Sequence, residues 1–177
     1  MEFFGGKEMQ IAREKLCEAE SLLSAYYCIP GREWPLYPYD VRTLEDVGEA
    51  PVSEDVLALV TKYEVSRRNR VRRLRMDYYE IGLQDHNILS ASARRADGIF
   101  FEPLMLYILT HELVHVFRFA NAPQRFFAEE VERIQEERHV HRITSDILRM
   151  KDDPQLTPVL EAYEDYPFRT LFSSERL

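Results

Sequence analysis

Cysteine is almost missing from this chain: Cys17 and Cys28 are the only two in 177 residues, and neither lies in a CxxC pair or a close Cys/His array. That excludes a disulfide-stapled scaffold and a cysteine-based zinc finger, and it predicts reduced thiols. Positive charge is in the minority, with 23 basic against 31 acidic side chains and a net charge of −8. Global attraction to nucleic acid or to an anionic membrane is therefore not expected. Long apolar runs are absent too. The longest, Pro103 to Leu109, falls far short of the roughly 20 residues that span a bilayer and leads straight into His111 and Glu112. The opening MEFFGGKEMQIAREKL lacks the basic stretch and apolar core of a signal peptide. The expectation is a cytoplasmic protein with no membrane partner. There is no internal repeat and no low-complexity segment, and the length suits one domain over 1–177.

What is present reads as a small sheet followed by a helical half. In 1–50, apolar positions Ile11, Leu16, Ala19, Leu22, Leu23 and Tyr26 recur near a 3.6-residue period and predict a helix over 7–27. CIPGREWPLYP ends it with three prolines and a glycine, leaving Trp34, Tyr37 and Tyr39 to pack on the domain, and YDVRTLEDV predicts a short strand. In 51–102, Ser53 as N-cap, Glu54 and Asp55 in the first turn, and Val56, Leu57, Leu59, Val60 and Tyr63 on one face predict a second helix. RNRVRRLRMDYYEIGL reads as a strand with one wet face, which accounts for the six arginines between 67 and 75 as a solvated, ion-paired surface. HNILSASA and GIFFE read as two more strands, joined by the Asp-Gly turn of RRADG into an antiparallel hairpin. In 103–150, Pro103 opens a helix running to about 120, and a long helix follows over 124–150. In 151–177 a shorter helix covers 156–164. The class is α+β, with a small, mostly antiparallel sheet packed on the 103–120 helix.

The chemistry concentrates in ILTHELVHVFRF, residues 108–119. His111 and His115, four apart on a helix, share a face and can converge on one ion with nitrogens about 2.0–2.1 Å from it. Glu112 stands about 100° round the helix. It is therefore placed beside such an ion, where it can take a proton from water whose pKa zinc lowers to about 7. The surrounding helix is apolar nearly all round, so these ionisable groups are buried and need a metal or tight hydrogen bonding to compensate.

A catalytic zinc takes a third protein ligand. Arg118 and Asn121 stand where an extended H-E-x-x-H-x-x-G-x-x-H motif has glycine and histidine, so that arrangement is excluded. AEEVERIQEERHVHRITSDIL offers Glu129, Glu130, Glu132, Glu136, Glu137, His139 and His141 instead. An inward stripe runs through Phe127, Val131, Ile134, Glu137, His141, Thr144 and Leu148. It selects Glu137 as third ligand, with Glu136 second. His141, one turn on, is a supporting group or itself a ligand.

His111, Glu112 and His115, with Glu137 lying 22 residues beyond the second histidine, resemble the zincin metallopeptidases of the gluzincin branch. The resemblance covers about 98–148 and implies a zincin-like fold with one zinc per chain. It implies Glu112 as base and proton shuttle, and a substrate peptide or protein lying extended on a strand at Ile99, Phe100 and Phe101. The chain departs from the family at His141, where many members have a small acidic acceptor. The oxyanion-stabilising group is open among His86, Tyr79, His141, Arg118 and Tyr163. The competing reading is a zincin-like module that binds metal or a partner without catalysis. Substrate identity and oligomeric state are not written in the sequence.

Overall fold

In the computed structural model the described residues are 2–30, 37–45, 56–68, 73–93, 98–122, 130–163 and 173–176. They form α1 (Gly6–Tyr27), β1 (Tyr39–Arg42), β2 (Ala58–Arg68), β3 (Arg73–Leu83), α2 (Asp85–Ala93), α3 (Phe101–Asn121), α4 (Glu130–Arg149), a 3-10 turn at Pro154–Leu156, α5 (Thr157–Tyr163) and β4 (Ser173–Arg176). The α+β class stands. No helix among the described residues is long and apolar enough to cross a membrane.

The stripe of α1 buries Ala12, Ala19 and Leu23 against α3, while Tyr26 stays exposed. The helix ends at Cys28, which adopts the left-handed conformation (φ 53°), and its last carbonyls are capped as Ile29 N–H donates to Ser24 O at 2.9 Å. Tyr37 and Tyr39 do pack inward, Tyr37 against Phe117 and Tyr39 onto Glu20. Trp34 lies outside the described residues.

The sheet has the order β1-β3-β2-β4, and it is mixed rather than mostly antiparallel. β2 and β3 form a long antiparallel hairpin, while β1 joins β3 and β4 joins β2 in parallel. Side chains of directly paired residues share a face, so Ala58 with Leu83, Val60 with Ile81 and Lys62 with Tyr79 present one buried face to the helices. Lys62 is tolerated there because Asp77 lies 2.8 Å from its ammonium. The arginine-rich stretch straddles this hairpin, with Arg68 opposite Arg73.

Three expected elements change. The segment read as a second helix is strand β2 from Ala58 onward; Ser53, Glu54 and Asp55 fall outside the described residues. Its apolar spacing fits a helix, but eleven residues of pairing with β3 satisfy its backbone as a strand. HNILSASA is helix α2 rather than a strand. Asp85 begins it and is buried, its carboxylate accepting from the backbone N–H of Phe4 at 3.1 Å and of Leu44 at 3.3 Å. One side chain thus ties together the N-terminus, the segment after β1 and the start of α2. GIFFE is not a strand either. Gly98 takes φ +70°, Ile99 and Phe100 belong to no regular element, and Phe101 opens α3. The expected hairpin between those two segments is therefore absent.

α3 is the central helix, with every residue from Pro103 to Val116 buried. Pro103 sits in its first turn, where a missing N–H leaves no intrahelical bond unmade. α4 runs antiparallel beside it: Arg118 meets Glu136 near one end, and Tyr107 meets His141 near the other. The inward stripe holds from Glu137 through His141 and Thr144 to Leu148, all buried, but Val131 is 68 % exposed and Ile134 49 %. The stripe is thus buried only from Glu137 onward. Phe127 lies outside the described residues.

Candidate metal centre

Four side chains from two helices converge, two from each at a spacing of four. His111 and His115 come from α3, Glu137 and His141 from α4. His115 Nε2 lies 3.1 Å from His111 Nε2 and 3.3 Å from Glu137 Oε1, and His111 Nε2 lies 3.5 Å from Glu137 Oε2. Ligand atoms bound tetrahedrally at 2.0–2.1 Å are separated by about 3.3 Å, so the two Nε2 atoms and the two oxygens of the Glu137 carboxylate lie near the spacing an ion needs. His111, Glu137 and His141 form a second triad, with ligand atoms within 4.8 Å of one another, and this buried group could hold a metal ion.

Burial is the reason such a cluster needs compensation. His111, Glu112 and His115 are almost fully enclosed, and Glu137 and His141 retain only 8 % and 7 % exposure. Both oxygens of Glu137 are buried without a hydrogen bond of acceptable geometry, although two imidazoles lie within 3.5 Å. A carboxylate in that position needs positive charge beside it, which a bound cation or a protonated His115 supplies.

The electrostatics fall into a pattern. Burial pushes the Glu112 carboxyl up to about 7, opposed by His115 and reinforced by the charge of Glu137. Burial acts on Glu137 in the same sense, but His115 and His111 together outweigh it and hold its pKa well below the usual range. Burial lowers His111, with Glu137 only partly offsetting it. At His115 burial also pulls downward, yet Glu137, followed by Glu112 and Glu136, raises the pKa overall. His141 is pulled down to about 3 by burial, then by the charge of His111. Two carboxylates on neighbouring helices are thus driven apart, Glu137 ionised and Glu112 near neutrality, the kind of division that separates a charge-bearing ligand from a proton carrier.

Glu136, the second candidate ligand, is turned away. It accepts a two-pronged hydrogen bond from Arg118, Nε to Oε1 at 2.5 Å and the terminal nitrogen to Oε2 at 2.8 Å. His139 points outward and is exposed. Of the oxyanion candidates, Arg118 is committed to Glu136. Tyr79 stacks on Phe119, whose ring stacks on His115, and Tyr163 stacks on Tyr107. His86 lies on α2. Ile99, Phe100 and Phe101 provide no substrate strand: Ile99 is buried, Phe100 is exposed before α3, and Phe101 lies edge-on to Phe4 in its first turn.

Tyr107 is the residue that sequence reasoning missed. Its hydroxyl lies 2.7 Å from His141 Nδ1, and its ring stacks on that of His111. The signal was available, because Tyr107, His111, His115 and Phe119 form one stripe at steps of four along α3. No protein-family model, no curated protein and no solved structure matches the chain.

Proposed function

We propose that the chain is a zinc-dependent peptidase that hydrolyses a peptide bond, with one zinc held by His111, His115 and Glu137 and with Glu112 as general base. The observation that carries this reading is the triangle of 3.1, 3.3 and 3.5 Å among the two Nε2 atoms and the Glu137 carboxylate. The H-E-x-x-H motif supports it by placing Glu112 next in sequence to one histidine of that triangle.

A zinc ion bound there would act as a Lewis acid, polarising a substrate carbonyl and lowering the pKa of a water to about 7. The chain's own groups do the rest. Glu112 adjoins His111 in sequence, and its carboxyl, raised by burial in the metal-free chain, is the group placed to carry a proton. It can therefore accept a proton from attacking water and return it to the leaving amine. Glu137 supplies the negative charge that favours a cation, and the burial of the cluster strengthens each of these interactions. The substrate is a peptide or protein segment. Two exposed free thiols, Cys17 and Cys28, suit a reducing compartment, and the proposal is of a cytoplasmic enzyme.

The test is zinc content together with a peptidase screen on wild type and Glu112→Gln. One zinc per chain in both, with cleavage by wild type alone, is the expected result. Stoichiometric zinc that survives His115→Ala would sink the ligand assignment. A second reading, a metal-binding module without catalysis, is favoured by one observation: His141 joins His111 and Glu137 in a ligand triad and leaves the position expected for water contested.

A further inference from the structure

The two ligand triads share an edge. His111 and Glu137 form one triangle with His115 and another with His141. His111 and Glu137 are thus common to both triads, and zinc held entirely by protein takes four ligands, arranged tetrahedrally. We infer that His141 is a fourth protein ligand of the same ion, so that the resting centre is closed, and that a position for water or substrate opens only when His141 is released.

Three features of the structure carry this. His141 follows Glu137 by one turn of α4, as His115 follows His111 on α3, so each helix contributes a pair on one face. The His141 ring lies 4.6 Å from that of His111, centroid to centroid. Its ligand atom lies within 4.8 Å of those of His111 and Glu137.

Tyr107 supplies the support that a histidine ligand commonly has. Its hydroxyl engages Nδ1 of His141, which leaves Nε2 for the ion. In the ligated state Nδ1–H donates to the Tyr107 oxygen, fixing tautomer and ring orientation. Tyr107 is therefore a positioning residue, acting through His141. A peptidase built this way is latched by its own α4, and its activity depends on whatever displaces His141.

The inference rests on the metal-site reading, and the experiment separates the two. Zinc X-ray absorption on the full chain loaded with one equivalent of zinc counts imidazoles. Three are expected in wild type, and two plus a water oxygen in His141→Ala. Azide, a small anionic probe, should shift the visible spectrum of the Co(II)-substituted His141→Ala protein and leave that of the wild type unchanged. Two imidazoles in wild type, or the same azide shift in both proteins, overturns the fourth ligand and leaves the metal site intact. Failure of wild type to bind zinc overturns both. If His141→Ala does not fold, the wild-type imidazole count and azide response decide alone.

Discussion

Arg118 on α3 and Glu136 on α4 are locked by two hydrogen bonds, of 2.5 and 2.8 Å, one residue before the carboxylate that faces His111 and His115. Adjacent residues on a helix differ by about 100° in direction, so pinning Glu136 to Arg118 turns Glu137 into the cluster. The same ion pair settles which of two neighbouring glutamates points at the histidines.

Glu136→Ala should therefore do two things. It leaves the partly buried Arg118 without its carboxylate, at a cost of about 2–4 kcal/mol. It also loosens the rotation of α4 and weakens zinc affinity by roughly 10-fold, as loss of a group that orients a ligand does. Chemical denaturation and a competitive zinc titration check both. Loss of zinc as complete as in Glu137→Ala would show that Glu136 is a ligand after all.

Glu112→Gln should stabilise the metal-stripped protein at alkaline pH. The carboxyl moves from an ordinary 4.5 to about 7 on folding, so the folded state holds its proton more tightly and ionisation there costs stability. The sign follows. Above pH 7 wild type bears the full cost, at most roughly 3 kcal/mol; between 7 and 4.5 the cost fades; below 4.5 it is gone. The variant should gain stability at pH 8 and be indistinguishable from wild type at this site at pH 4. A gain that is the same at both pH values would show that the raised carboxyl is not its source.

Zinc should raise the unfolding midpoint of the wild type. At 100 times its dissociation constant a ligand bound only by the folded state contributes about 2.7 kcal/mol, which for a chain of this size is roughly 5–10 °C. A chelator should reverse the shift. His111→Ala and Glu137→Gln, which remove a side chain common to both triads, should abolish it, read by thermal melts with and without zinc.

Asp85→Ala should destabilise the fold by about 2–4 kcal/mol without changing zinc affinity. It strands the buried N–H groups of Phe4 and Leu44 at the start of α2, away from the cluster. Denaturant midpoints measure the first effect, and a zinc titration of the folded variant tests the second. A parallel loss of metal would tie Asp85 to the site.

Long periodic segments read correctly. α1 and the inner half of α4 follow from apolar spacing, α3 from Pro103 at the head of an apolar run, and β3 from its alternation. Short apolar runs did not. Val56 to Tyr63 carries helical spacing, yet pairing with β3 makes it a strand. HNILSASA carries too little pattern to choose, and Asp85 at the start of α2 is a buried anchor that only long-range contacts reveal. Periodicity over so few residues cannot separate the two states, and long-range partners do. The expected substrate strand failed for the same reason: GIFFE is five residues, and the helix of Pro103 begins inside it.

The sequence by itself determined the chemistry of α3. His111, Glu112 and His115 are set by spacing along one helix, and spacing is a local property of the backbone. Glu137 was also reachable, because α4 continues the same period. Only the tertiary structure decided that Glu136 is held off by Arg118, that Val131 and Ile134 stay exposed, and that Tyr107 and His141 close on each other. These are contacts between two helices, fixed by where they pack and how each is turned, and no period within one helix encodes them.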